Sequence, residues 1–158
     1  MANKFFPVSI DLNNKNILVI GAGKIALRKT ETLLNYNCNI NVITKDILEE
    51  KFLELEKSNK IKIFKNQEFE EKFLENIFLV VVATDNETLN KNISQLCMSK
   101  NILVNNVTSK DDMNLRFASI YEKNDIQIAI SANANPKKVV EIKNKIKNIF
   151  EKWKNKLL

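Results

Sequence analysis

The chain of 158 residues has two glycines, and both stand in one hexapeptide, Gly21-Ala22-Gly23-Lys24-Ile25-Ala26. The preceding run Asn16-Ile17-Leu18-Val19-Ile20 reads as a buried strand, and residues 24–36 read as a helix. A strand, a bare turn and a helix start make a seat for a negatively charged group. Gly21 permits the tight turn, Gly23 lets backbone amides come close to a pyrophosphate, and Ala26 takes the place of a third glycine where helix meets strand. The unpaired amides of the first helical turn and the helix dipole favour phosphate, with Lys24 and Ile25 presenting that helix start. A purely structural turn is the alternative.

Further candidates lie where other strands are expected to end. Thr44-Lys45-Asp46 follows the second strand. An acidic residue here commonly accepts bonds from the adenosine ribose, but Asp46 serves equally as a helix N-cap. Lys45 suits a 2′-phosphate, so the pattern leans to NAD over NADP without deciding it. Thr84 in Ala83-Thr84-Asp85-Asn86 stands where a nicotinamide ribose would be touched, or Asp85 simply caps the next helix. The two consecutive amides Asn105 and Asn106 in Asn105-Asn106-Val107-Thr108 suggest bonds to cofactor or substrate, or they form a turn. With no His in the chain, acid–base chemistry falls to Asp, Glu, Lys, Tyr or Cys.

The elements that must position these residues alternate. Strands are expected at 17–20, 40–44, 60–64, 77–83 and 102–105. Helices are expected at 24–36, at 47–57 behind Asp46, over one or two turns at 68–74, and from the Thr84-Asp85-Asn86 cap to about Met98. The apolar run Ile77-Phe78-Leu79-Val80-Val81-Val82-Ala83 is expected to be central. This order belongs to an α/β doubly wound, mostly parallel sheet. The pattern then changes. Two strand-like runs, 115–121 and 126–131, flank the turn Glu122-Lys123-Asn124-Asp125, and a last helix starts at Pro136 and reaches about Leu157. Its stripe is Val139, Ile142, Ile146, Ile149, Phe150, Trp153 and Leu157. Two domains are expected: 1–112, binding the nucleotide, and 113–158, a strand-strand-helix segment.

Composition narrows the classes. Twenty-five basic residues against 19 acidic give a net charge of +6, which suits a polyanionic ligand. A general Lys and Asn bias accounts for it equally well. The basic residues are interleaved with Glu rather than gathered in a strip with aromatics, which argues against nucleic acid. No apolar run approaches the ~20 residues of a membrane span. Cys38 and Cys97 lack metal-ligand spacing, so no metal site and reduced thiols in a cytoplasmic protein are expected.

Several segments together resemble the precorrin-2 dehydrogenase family of siroheme synthesis, which includes the N-terminal module of siroheme synthase and bifunctional dehydrogenase–ferrochelatases. Gly21-Ala22-Gly23-Lys24-Ile25-Ala26-Leu27-Arg28-Lys29 is similar to its opening signature. Val82-Ala83-Thr84-Asp85-Asn86 followed by Leu89-Asn90 resembles its Ala-Thr-Asp-Asp and Leu-Asn. Val104-Asn105, and Ile128-Ala129-Ile130-Ser131 followed by Asn135-Pro136, resemble two later segments. The resemblance covers roughly residues 5–150. It implies a Rossmann-like domain, NAD as cofactor, oxidation of the anionic tetrapyrrole precorrin-2 to sirohydrochlorin, and a homodimer built partly through the C-terminal strands and helix. Some members insert iron or cobalt, but neither His nor the expected carboxylate is available for that here.

Three departures from the family pattern bear on turnover. Thr108 stands where the family has an Asp that is its favoured catalytic candidate, which leaves Asp111 and Asp112 as nearby carboxylates outside the motif. The loop before Asn135-Pro136 is one residue short, with Asn133 and Ala134 at its usual glycines. Relatives continue for some tens of residues past the position of Leu158, through a segment that helps form the substrate cleft. The expected function is therefore NAD-dependent precorrin-2 oxidation. A non-catalytic NAD(H)-binding homologue that senses or scaffolds in tetrapyrrole metabolism is the alternative. A nucleotide-sensing domain of a potassium channel regulator is weaker, since it leaves residues 126–136 unexplained.

Overall fold

The computed structural model describes residues 4–132 and 135–154 and divides into two compact units on either side of the Arg116–Phe117 bond. In the first unit, β1 (Asn16–Ile20), α1 (Lys24–Leu33), β2 (Asn39–Thr44), α2 (Lys51–Lys57), β3 (Lys62–Lys65), a 3-10 turn (Glu71–Leu74), β4 (Leu79–Val82), α3 (Glu87–Ser99) and β5 (Leu103–Asn106) follow one another. The five strands pair in parallel in the order β3-β2-β1-β4-β5. This is the Rossmann-like doubly wound sheet the sequence predicts. The middle strand is β1, however, and β4 lies beside it.

Apolar residues fill both faces of β1 and β4, as a parallel sheet covered by helices requires. Alternation puts Leu18, Ile20, Ile43, Val80, Val82 and Val104 on one face, packed with Ile93 and Cys97 of α3. The β1–α1–β2 and β4–α3–β5 crossovers run outward from the middle in opposite directions. With the usual right-handed connection, α1 and α3 then lie on opposite faces.

The second unit is an antiparallel hairpin, β6 (Ser119–Lys123) and β7 (Ile126–Ile130), with α4 (Pro136–Lys154). Tyr121 of β6 meets Phe150 of α4 at 5.6 Å between ring centroids. Pro136 is the first residue of α4, where its missing N–H costs nothing. Val139, Ile142, Ile146 and Phe150 are half-buried, and Ile149 is exposed. The Trp153 side chain, Leu157, Asn133 and Ala134 lie outside the described residues. No helix among the described residues is long and apolar enough to cross a membrane.

Several boundaries differ from expectation. Residues 47–50 are not helical, and α2 begins at Lys51 behind Glu50, so Asp46 caps nothing. Only residues 71–74 of the expected 68–74 are helical. The first hairpin strand starts at Ser119 rather than 115. The N-cap of α3 is Asn86, whose Oδ1 accepts from Leu89 N at 2.9 Å, so the capping residue is not Asp85.

Asparagine does the work that glycine usually does. Among the described residues every non-glycine with positive φ is Asn: 14, 59, 66, 76, 101 and 124. Its short polar side chain tolerates the left-handed region better than other residues with a Cβ. Asn101 closes α3: Ile102 N donates to Cys97 O at 2.9 Å and Asn101 N to Met98 O at 3.1 Å, the paired bonds of a Schellman motif. Asn101→Ala is expected to lower stability by about 1 kcal/mol, whereas Asn101→Gly holds it level or raises it. Urea denaturation of the three proteins checks this, and equal midpoints for Ala and wild type would refute it.

Lys29, on α1, is pushed down to about 8 by burial, with Arg28 adding repulsion, against an ordinary 10.5. Below pH 8 the ammonium is charged in both states and the burial penalty is present in full. Between about 8 and 10.5 the folded protein gives up this proton before the unfolded chain does. The unfolded state then binds more protons, so stability rises with pH. The rise amounts to at most about 3 kcal/mol. Denaturation midpoints across this range should climb in wild type relative to Lys29→Met; parallel curves would remove the effect.

Candidate functional site

The carboxyl ends of β1 and β4 meet where strand order reverses, the place at which open α/β sheets hold ligands. Gly21 leaves β1 with φ +103°, and a Cβ there would stand 2.5 Å from Ala83 O and 2.9 Å from Ala83 C. Its own N–H donates to Ile43 O at 2.8 Å, and Ala83 N donates to Ile20 O at 2.8 Å. Only glycine fits both the dihedral and the contact.

Gly23 differs. Its backbone is extended, φ −92° and ψ −178°, which any residue adopts. A Cβ would meet nothing closer than Leu48 Cδ1 at 3.8 Å, an ordinary contact. No part of the protein forbids a Cβ here. Gly23 is also the N-cap of α1, without a side-chain cap or an acid in the first turn. By contrast, α3 has both Asn86 and Glu87 at its start. The bare start of α1 therefore leaves first-turn amides for an external anion. Lys24 and Ile25, its first two residues, are exposed. Leu48, also exposed, is tied to the turn by its N–H on Ala22 O at 3.2 Å. These features fit a dinucleotide pyrophosphate.

The residues after β2 divide. Thr44 is buried, and its hydroxyl donates to Asp46 O at 2.6 Å, shaping the loop. Lys45 pairs with Glu68 at 2.7 Å, both exposed; the Glu68 bond and charge raise Lys45 and hold Glu68 low. Asp46 is exposed.

After β4 and β5 the two Asn of Asn105-Asn106 point to opposite faces, as consecutive strand residues must. Asn105 Nδ2 donates to Leu115 O at 3.1 Å, and its Oδ1 is buried without a hydrogen-bond partner. Asn105 thus holds the returning segment to the edge strand, helped by Asn114 Oδ1 on Val104 N at 2.7 Å. Asn106 turns to α3, where its Nδ2 donates to Ser94 Oγ at 3.1 Å. Its Oδ1 accepts from Thr108 N at 2.9 Å and Thr108 Oγ1 at 2.8 Å. Thr84 Oγ1 donates to Asn90 Oδ1 and accepts from Asn86 N at 3.2 Å.

A polar cavity of about 300 Å³ opens beside this network, lined by Glu87, Thr88, Lys91, Thr108, Ser109 and Asp112. Ser109 Oγ donates to Asp112 Oδ2 at 2.9 Å and accepts from Asp112 N at 3.0 Å and Asp111 N at 3.2 Å. Asp112 is half-buried on the cavity wall. Asp111 is exposed, and its carbonyl takes Lys4 Nζ at 2.7 Å. The structure brings Thr108 and Asp112 together and leaves Asp111 off the lining.

Sequence reading missed Ser109, Lys91 and Ser94 as parts of the site, and it gave Asn90 no role. A signal existed for Asn90 and Ser94: both are polar residues on the face of α3 shared with Ile93 and Cys97. Burial pushes Cys97 up to about 12 and Cys38 upward, so neither thiol is reactive. No metal-binding group of His, Cys, Asp or Glu occurs among the described residues.

Comparison with known proteins agrees with this geometry. A family model described as putative NAD(P)-binding matches residues 8–119. Siroheme synthase of Mannheimia succiniciproducens is 38% identical over 128 residues, 81% of this chain and 26% of the relative. Siroheme synthase of Buchnera aphidicola is also 38% identical over 128 residues, 81% and 27% of the two chains. The chain thus spans about a quarter of the length of these relatives. The solved structure of SirC, a precorrin-2 dehydrogenase, superposes with a TM-score of 0.80 at 26% identity, over 91% of this chain and 70% of that one. With the glycine turn, the strand-end loops and the sheet order all in place, the chain belongs to the NAD(P)-binding family that includes precorrin-2 dehydrogenase and the N-terminal domain of siroheme synthase.

Proposed function

We propose that the protein is an NAD-dependent dehydrogenase that oxidises precorrin-2 to sirohydrochlorin in siroheme synthesis. The observation that carries this reading is Gly23, bare at an uncapped helix start although the protein itself leaves room for a Cβ there. In this reading Gly21, Gly23, Lys24 and Ile25 hold the pyrophosphate; Thr44, Lys45 and Asp46 frame the adenosine end; Thr84 belongs to the nicotinamide end, which Asn105 supports from within by holding the returning segment to β5. Bound there, NAD⁺ supplies the hydride acceptor. The chain supplies orientation and a proton acceptor. Of the carboxylates on the cavity wall, Asp112 is the one fixed by Ser109, and it takes the proton that substrate loses. Lys91 gives the same wall a cation for a substrate carboxylate.

Thr108 favours a second reading. Its hydroxyl is bound on both sides, donating to Asn106 Oδ1 and accepting from Asn90 Nδ2, so it has no proton-transfer role. If Asp112 does not replace the family's carboxylate, the protein binds NAD(H) without turning over. The homodimer remains part of either reading. A hairpin and one helix with Ile126, Val140 and Ile149 exposed have more apolar surface than such a unit covers alone.

Two measurements separate these readings. Gly23→Val should cost no more than about 1 kcal/mol of stability, the preference of an N-cap for glycine, and weaken NAD⁺ binding by about tenfold or more in calorimetry. Unaltered affinity would refute the cofactor site. NADH formation from precorrin-2 should fall about a hundredfold in Asp112→Asn and rise in Thr108→Asp. Good NAD⁺ affinity without turnover in the wild type would leave the non-catalytic reading.

A further inference from the structure

Asn90 is wholly buried in the first turns of α3, at the junction of the two strand-end loops. Its Nδ2 donates to Thr84 O at 2.9 Å and to Thr108 Oγ1 at 3.2 Å, and its Oδ1 accepts from Thr84 Oγ1 at 2.5 Å. One side chain therefore bonds both Thr84, in the loop after β4, and Thr108, which opens the Asp112 loop. The contacts close into a ring. Thr108 donates to Asn106 Oδ1, Asn106 Nδ2 donates to Ser94 Oγ, and Ser94 Oγ donates to Asn90 O at 2.7 Å. Every polar atom of the Asn90 side chain is used inside the protein, so Asn90 does not itself bind a ligand.

From this geometry we infer that Asn90 is a positioning residue, which sets the nicotinamide end at Thr84 and the proton-accepting loop at Thr108–Asp112 in one fixed relation. The inference rests on the functional reading above. A primary amide suits the task because it offers two donors and an acceptor in one plane; no other side chain of this size does. Removing it would take one partner each from Thr84 O, Thr84 Oγ1 and Thr108 Oγ1 and leave a gap where Asn90 is buried, and the two loops would relax independently. Hydride and proton removal both need placement to within a fraction of an ångström, so the loss falls on chemistry more than on anchoring.

The test compares wild type, Asn90→Ala and the isosteric Asn90→Asp in the full chain. Ile93→Ala, a buried truncation on the same helix that removes none of the ring's hydrogen bonds, is the control for lost stability. ADP reports on the glycine turn and the adenosine end, NAD⁺ adds the nicotinamide end, and precorrin-2 turnover reports the chemistry. Asn90→Ala is expected to hold ADP affinity within about twofold, to weaken NAD⁺ about fivefold and to lower kcat about a hundredfold. Asn90→Asp, keeping part of the bonding, should fall between. Ile93→Ala should lose stability without this selective pattern. The inference is overturned if ADP and NAD⁺ affinities fall together, if neither NAD⁺ affinity nor kcat moves, or if both Asn90 variants fail to fold. Wild-type protein that binds neither ADP nor NAD⁺ would reject the functional reading itself. Wild-type protein that binds NAD⁺ without turnover would reject only the dehydrogenase, leaving the ADP–NAD⁺ contrast to decide on Asn90.

Discussion

The site depends on one close approach. Gly21 sits between the ends of three adjacent strands: its N–H is bonded to Ile43 O of β2, and its Cα faces the Ala83 carbonyl after β4. A methyl group there would stand 2.5 Å from a backbone oxygen that is itself fixed by the sheet. Without that contact the turn could not leave β1 at φ +103° and aim α1 across the strand ends. The two glycines thus answer different constraints: Gly21 is required by the protein's own packing, and Gly23 is not, which is why the proposed function assigns it to the bound nucleotide.

Beside this turn the protein places polar groups where its core would otherwise be apolar. Thr84, Asn90, Ser94, Asn106 and Thr108 bond mainly to one another, and Asn90, Ser94 and Asn106 are buried. Buried polar groups are tolerable only when satisfied, and then they fix geometry more sharply than apolar packing does. The ring lies at the carboxyl ends of β4 and β5. Asn105 Oδ1 is an exception to satisfaction in the same region, a buried acceptor that has no partner.

Much of the fold was legible because its signals are local. Five apolar runs, amphipathic helices between them and a glycine pair after the first strand specify a parallel doubly wound sheet, and that sheet is found. Boundaries were less legible. Asp46 has the chemistry of an N-cap, yet Thr44 ties it into a loop and α2 starts five residues later at Lys51. Likewise the adjacent amides of Asn105 and Asn106 looked like one ligand-facing pair. Strand alternation sends one to the returning segment and the other to α3.

Residue type and spacing alone determined the glycine turn, the order of strands and helices and the use of Asn at sharp turns, because each follows from backbone sterics within a few residues. Tertiary structure alone decided which of Asp111 and Asp112 lines the cavity, that no contact within the protein requires Gly23 to be bare, and that Asn90 joins two loops. Those facts depend on distances between segments 18 or more residues apart along the chain, such as Asn90 to Thr108. Sequence periodicity carries no information about such distances.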